Sequence, residues 1–258
     1  MSVDYALLGQ LFDDLRSVST LTERFSYYTR CVDALGFDGV TYTYVPNVSL
    51  STLTHFPPVF LRTDDYPIGF LEHYAAERLD QYDFTIRKVK SNDLSPMDWR
   101  EHELSGLVSE KESAVIALAR EDYGIRNALS IPTMLWTAGG SGVSVISHER
   151  DEVFAKLKRE RLETLVRCSQ AFHDVSFSSA ELPRVFIRPF RDSLKPKELQ
   201  ILNHLANGKH LKTIGQGISY QYAARVLDEL RARMGGITKD RLMYLVGQLN
   251  LLDDGDEA

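Results

Sequence analysis

At 258 residues the chain has room for one or two domains and a sizeable core. Its 43% hydrophobic and 26% charged residues exclude a disordered, collagenous or membrane-embedded class. A formal net charge of -6 argues, for the chain as a whole, against a nucleic-acid partner, because phosphate contacts need clustered cations. The two cysteines, Cys31 and Cys168, cannot build a disulfide framework or a Cys-rich zinc site. Both fall in helix-patterned segments and read as buried free thiols in a reducing cytosol. The stretch Met1 to Ser17 carries acids and no continuous apolar run, so it is not read as a signal peptide. No apolar run approaches the ~20 residues that span a bilayer, so no membrane partner is expected.

Thr20-Leu21-Thr22-Glu23 is a capping box that opens a helix, with Leu21, Phe25, Tyr28, Val32 and Leu35 at helical spacing and Gly36 as its stop. Asp38 to Val45 alternates, which predicts a strand with Val40, Tyr42 and Tyr44 on one face. Pro67 begins a helical stretch over Phe70 to Leu79. Ser95-Pro96 reads as an N-cap with proline at the first helical position. Ser109 and Glu112 form a second capping box, leading a helix to Gly124. Leu129 to Trp136, Gly139-Gly140-Ser141-Gly142 and Val143 to Ser147 read as a β-hairpin with a glycine-rich turn. Arg150 to Val175 is a long, charge-laced helix.

Residues 176–192 contain Ser and Pro without a sustained period and read as a linker between a domain at 1–175 and a small helical domain at 193–258 with an acidic tail. The predicted fold class is α+β: an N-terminal α/β/α sandwich around an antiparallel sheet, then an all-α four-helix unit. In that unit Pro196 and Glu198 open a helix ending at Gly208-Lys209. A short segment follows, and Ser219 caps a helix from Tyr220 to Met234. Gly235-Gly236 breaks the chain before a last amphipathic helix, Thr238 to Leu249. A short turn between two helices, the second basic, is helix-turn-helix logic.

No enzyme signature survives inspection. His102-Glu103 lacks a second His four residues on, where Gly106 stands, and Gly139 to Gly142 is not a nucleophile elbow. No catalytic residue, metal ligand or cofactor site is assigned. Tyr66, Phe70 and Tyr74 recur every fourth residue, Asp83 lies between Tyr82 and Phe84, and Trp99 follows. By periodicity such a stripe reads as core. The functional alternative is an apolar ligand cavity with a few polar handles.

The order of these motifs is similar to that of the LuxR family of quorum-sensing regulators. Leu194-Lys195-Pro196-Lys197-Glu198-Leu199-Gln200-Ile201-Leu202, then Gly208-Lys209, then Ile218-Ser219, resembles its C-terminal DNA-binding domain. Tyr66-Pro67-Ile68-Gly69-Phe70-Leu71-Glu72-His73-Tyr74, then Asp83 and Trp99, resembles the motif of its acyl-homoserine-lactone-binding domain. Gly124 to Ala128 with Pro132 resembles a further segment of that domain. The resemblance implies a cytoplasmic, homodimeric transcriptional regulator sensing a small apolar signal such as an acyl-homoserine lactone. It implies that Asp83 accepts from a ligand amide, that Tyr66, Tyr74 and Trp99 line the pocket, and that Ser144 or Ser147 supplies a hydroxyl. Phe70 stands where the family carries the Trp that donates to the lactone carbonyl, Phe84 where it has Pro, and Ala128 where it has Gly. One hydrogen bond lost in a dry site costs about 1–3 kcal/mol. The signal is therefore an acyl-homoserine lactone, another small apolar molecule, or nothing at all if the core is simply filled.

For DNA the resemblance implies Lys209, Lys212, Ser219, Gln221, Tyr222, Arg225, Arg231 and Arg233. Only eight residues separate Lys209 from Ile218, which shortens the expected scaffold helix by about half a turn. Lys195 replaces the usual capping Ser or Thr. Ala224 and Asp228 stand where the family carries cations. These departures support the alternative of a DNA-binding-defective member that pairs with an intact relative as an antiactivator. Leu242, Leu245, Val246 and Leu249 are candidates for the small-domain contact or for its core. From Leu194 to Leu252 nine Lys/Arg oppose four Asp/Glu, a net +5, and the remainder carries -11. The overall acidity thus hides a basic C-terminal segment.

Overall fold

The computed structural model describes residues 3–46, 57–136, 139–179, 181–215, 217–234, 236–248 and 251–252. The chain divides into two compact units, one of Met1–Pro46 with Pro57–Leu182, the other built mainly from Pro183–Ala258. Each is described by itself.

The first unit opens with helices α1 (Tyr5–Ser17) and α2 (Leu21–Ala34). Thr20 caps α2 as expected: its hydroxyl accepts from the Glu23 N–H at 3.3 Å while the Glu23 carboxylate accepts from the Thr20 N–H. Strands β1 (Gly39–Pro46) and β2 (Val59–Arg62) follow. Then come α3 (Ile68–Ala76), a 3-10 turn (Leu79–Gln81), α4 (Phe84–Lys90), β3 (Met97–Asp98), α5 (Trp99–Leu104) and α6 (Glu110–Glu121). The Ser109 capping box opens α6 as predicted. Strands β4 (Asn127–Trp136) and β5 (Gly139–Ser147) and helix α7 (Asp151–Ser178) complete the unit. The five strands form one antiparallel sheet in the order β2-β1-β5-β4-β3.

Helices α2 and α7 pack on β1 and β4, and α4 and α5 pack on β4 and β5. Side chains alternate across a pleated strand, so each strand serves both layers. Tyr42 of β1 meets Phe172 and His173 of α7 on one side. Ala128 and Ile146 join the cluster around Phe70 and Trp99 on the other. Strand β1 forms as predicted, with Val40, Tyr42 and Tyr44 on one face, and its other face is covered as well: Thr41 and Val45 are also buried. A strand with a neighbour on each side and helices above and below has no solvent face.

Three local expectations change. Ser95-Pro96 does not cap a helix. Met97 and Asp98 pair with Ser130 and Leu129 as an edge strand, and Asp98 caps α5 by accepting from the Glu101 N–H at 3.0 Å. Pro96, lacking an N–H, stands just before that edge strand, where no ladder bond is required of it. Gly139, Gly140 and Gly142 are not turn residues but lie within β5, opposite Pro46, Val45 and Thr43 of β1. A Cβ on Gly139 would sit 2.6 Å from the Tyr44 ring, and one on Gly142 3.0 Å from the Ile131 carbonyl oxygen, beside the register shift between Pro132 and Met134. The glycines thus admit a tyrosine ring and a bulge. Gly139→Ala is expected to destabilise the first unit by about 1–3 kcal/mol in denaturant titration, because the added methyl and the Tyr44 ring cannot both be accommodated without a shift. The stretch 176–192 is helical: α7 continues to Ser178 and α8 covers Glu181–Asp192. Its period is carried by Leu182, Phe186 and Phe190, four residues apart and all buried. Pro183 falls in the first turn, where its missing N–H has no helical partner to lose.

In the second unit α9 (Pro196–Ala206) is followed by a 3-10 turn (Leu211–Thr213), α10 (Tyr220–Arg233) and α11 (Lys239–Gln248). The expected four-helix unit is corrected at its second helix, which is a single 3-10 turn. Few residues lie between the Gly208 stop and the Ser219 cap, too few for two turns of α-helix. Lys195 cannot accept a capping bond, but its own N–H donates to the Glu198 carboxylate at 2.7 Å, the reciprocal half of a capping box. Leu242, Leu245 and Val246 are buried in this unit's own core rather than set out on its surface; Leu249 and the acidic tail lie outside the described residues. Among the described residues no helix is long and apolar enough to cross a membrane, and no cluster of His, Cys, Asp and Glu could hold a metal ion.

Candidate functional site

The four-residue spacing of Tyr66, Phe70 and Tyr74 puts three rings on one side of α3 and its approach, and all three are buried. Phe70 is the centre of the group. Its ring centroid lies 5.9 Å from that of Tyr74, 6.4 Å from Trp99 and 5.6 Å from Tyr123. Phe60 of β2 stands edge-on to Tyr74 at 6.1 Å. Such tilted and edge-to-face arrangements are the favoured ones for aromatic quadrupoles.

The Asp83 carboxylate is set directly against these rings. It caps α4: one oxygen accepts from the Thr85 N–H and the Thr85 hydroxyl, each at 2.7 Å, and the other accepts from the Tyr74 hydroxyl at 2.8 Å. Burial pushes its pKa up, and these donors only partly offset that. Burial, with the neighbouring Asp83 charge, also pushes the phenols of Tyr66 and Tyr74 up, so both remain protonated donors. The Tyr66 hydroxyl has no hydrogen-bond partner among the described residues. The Trp99 indole donates to the Ser130 hydroxyl, and Ser130 and Ser144 share a bond across β4 and β5, all at 2.8 Å.

An acid whose folded pKa lies above its unfolded value contributes stability below the unfolded pKa and loses it as pH rises through the folded one. Replacing Asp83 by Asn abolishes that titration. The stability advantage of the native chain over Asp83→Asn should therefore shrink as pH rises from about 4 to 7, measured by denaturation at each pH. An advantage that grows with pH would show that the hydrogen bonds outweigh burial.

Of the seven side chains expected to contact a ligand, Tyr66, Phe70, Tyr74, Asp83 and Trp99 are gathered here. Ser144 reaches them through Ser130. Ser147 does not: three residues further along β5 it belongs to the opposite face of the sheet, where its hydroxyl accepts from the Glu149 N–H at 3.3 Å. Thr85, Ser130, Phe60 and Tyr123 were not anticipated. Asp83-x-Thr85 is a legible capping pattern, but Ser130 is found only through the pairing of β4 with β3 and β5.

On the second unit, Lys209, Lys212, Gln221, Tyr222 and Arg225 are exposed, and Ser219 caps α10 by accepting from the Tyr222 N–H at 3.2 Å. The arginines are engaged within the unit. Arg225 pairs with Glu229 at 3.6 Å and lies over the Tyr222 ring. Arg231 binds Asp228 at 2.9 Å and the Ile237 carbonyl at 2.8 Å, and Arg233 binds Glu198 at 2.8 Å.

The family model described as "Autoinducer binding domain" matches residues 20–175, a span holding the whole aromatic site. The chain belongs to the autoinducer-binding-domain family. That family is one of signal-binding, non-enzymatic receptor domains. The fold of this autoinducer-binding chain is shared by solved structures of low sequence identity. An N-acylhomoserine-lactone-dependent LuxR-family transcription factor, CepR2 from Burkholderia cenocepacia, is similar with a TM-score of 0.54 and 20% identity, over 69% of this chain and 97% of that one. Escherichia coli SdiA is similar at a TM-score of 0.51 and 16% identity, over 96% and 98%. SdiA in complex with octanoyl-rac-glycerol gives 0.56 and 14%, over 98% of each chain. Among curated protein sequences there is no significant match to this chain.

Proposed function

We propose that this protein is a signal-responsive transcriptional regulator of the LuxR type. Its autoinducer-binding domain takes a small amphipathic acyl compound, and its C-terminal unit meets DNA through the turn at Lys209 to Lys212 and the start of α10. The observation that carries the ligand reading is the Asp83 carboxylate, held by Tyr74 and Thr85 among buried rings, beside a Tyr66 hydroxyl with no partner. A signal bound there stabilises the folded state by mass action and so raises the amount of active protein. A dimer is the expected form, since two-fold recognition matches palindromic half-sites.

Mass spectrometry of what copurifies with the full chain tests the ligand reading, and recovery of no acyl compound from cells that make one would count against it. The DNA reading predicts a low-salt gel shift. Lys209→Ala and Lys212→Ala should each weaken it evenly across sequences and reduce the salt slope by about one. A second reading is favoured by α10 itself, where Asp228 and Glu229 neutralise Arg231 and Arg225. It makes the protein a DNA-silent partner that holds an intact relative in a heterodimer. No shift at low salt, with inhibition of a related regulator in a mixed assay, would select it.

A further inference from the structure

On the side of the sheet away from the aromatic site, α2 and α7 pack together, and a pair of thiols meets between them. The two helices run antiparallel. Arg24 Nη1 donates to the Ser179 hydroxyl at 2.5 Å, the Tyr28 hydroxyl shares a bond with Ser169 at 2.7 Å, and Gly36, just past α2, faces Leu157. Tyr28 also stacks on Phe172 at 4.8 Å. One turn along α2 from Tyr28 stands Cys31, and one turn back along α7 from Phe172 stands Cys168. The register therefore sets these two cysteines against each other, both buried and both free. The Cys168 side chain donates a hydrogen bond to Cys31 and holds that thiol below its ordinary pKa, while the same bond, with burial, pushes the Cys168 thiol up. Cys31 is thus the thiol that ionises first, and Cys168 the one that keeps its proton. Asp4, the half-buried cap of α1, lies close enough for its charge to oppose ionisation of both. Its N–H donates at 3.0 Å to the hydroxyl of Thr164, one turn before Cys168 on α7. The pair therefore sits beneath the first turn of α1.

We propose that Cys31 and Cys168 form an oxidation site at which hydrogen peroxide closes a disulfide that fastens α2 to α7 and stabilises the first unit. The Cys31 thiolate attacks one peroxide oxygen, the O–O bond breaks, and the departing hydroxide takes up the proton that Cys31 gave up and leaves as water. Cys31 then carries a sulfenic acid. The Cys168 sulfur attacks the Cys31 sulfur, the S–O bond breaks, and hydroxide leaves with the Cys168 proton as a second water. In sum, two thiols and one hydrogen peroxide give one disulfide and two waters. The oxidant enters when the first turn of α1 opens locally. The bond closes a long loop between α2 and α7, which restricts the unfolded chain and so favours the folded one. It lies apart from Asp83 and does not depend on a bound signal.

The test treats the reduced full-length protein with excess hydrogen peroxide, quenches with catalase, alkylates the unfolded chain with iodoacetamide and maps it by nonreducing peptide mass spectrometry. The expected result is a peptide joining Cys31 to Cys168 within one chain, two hydrogens lighter than its parts and separated by dithiothreitol. The oxidised protein should melt higher by about 5 °C or more. Cys168→Ser should form no link and leave Cys31 as a sulfenic acid that dimedone traps, and Cys31→Ser should give neither product. Alkylation of both cysteines after peroxide treatment overturns the inference. So does a link between chains in place of the internal one, or a linked chain that melts no higher. If neither serine variant folds, mapping and melting of the native chain decide.

Discussion

Phe172→Ala should lower the stability of the first unit by about 3–5 kcal/mol, the largest loss expected from any single truncation described for this chain. Phe172 on α7 is fully buried. It stacks on Tyr28 of α2 at 4.8 Å and meets Tyr42 of β1 edge-on at 5.4 Å and Phe25 at 5.8 Å. Removing it leaves a cavity bordered by three rings. Two of these are tethered: the Tyr28 hydroxyl shares a bond with Ser169 at 2.7 Å and that of Tyr42 with His173 Nδ1 at 2.6 Å. Rings held by both packing and hydrogen bonds cannot collapse into the space, which places the cost at the upper end. Chemical denaturation followed by far-ultraviolet circular dichroism measures it. A loss under about 1 kcal/mol would mean that α2 and α7 close the gap freely.

Asp83→Ala should abolish signal binding, with a fall of about 100-fold or more, and should also destabilise the first unit by about 1–3 kcal/mol. The carboxylate serves two functions at once. It caps α4 through Thr85 and anchors Tyr74, so its removal leaves a helix end and a buried hydroxyl unpaired. It is also the acceptor set among the rings. Asp83→Asn separates the two roles: its amide oxygen can still cap α4, but its amide nitrogen presents a donor toward the ligand N–H. Asn should therefore retain most of the stability and little of the affinity. Equilibrium titration with N-octanoyl homoserine lactone and a denaturation curve for each variant report the two quantities separately. Because a carboxylate accepts from the amide better than a carboxylic acid does, native affinity should fall on acidification. The onset lies above the ordinary carboxylate range, following the raised pKa.

Helix starts were the most legible features in the chain. Thr20-x-x-Glu23, Ser109-x-x-Glu112 and Ser219 each satisfy orphan N–H groups within their own turn, and such bonds depend on no distant partner. The aromatic face of α3 was legible for the same reason, since a four-residue spacing sets one side of a helix whatever lies opposite. Elements defined by distant partners were misread. Ser95-Pro96 has the form of a cap, yet Met97 and Asp98 are drawn into the sheet by Ser130 and Leu129, distant in sequence. The glycines of β5 have turn composition, yet they serve the ring of Tyr44 and a bulge in β4.

The sequence alone determined the site's chemical inventory: three rings at helical spacing and one acid in an aromatic frame. Composition and local periodicity suffice for that, because they act over one or two turns of chain. Which donors remain free was decided only in the tertiary structure. Trp99 looked available until the β3–β4 pairing brought Ser130 to its indole, and Tyr74 until the α4 cap turned Asp83 toward its hydroxyl. A hydrogen bond is spent on whichever partner the fold places within about 3 Å, and that distance is a property of the packed layers, not of any segment within them.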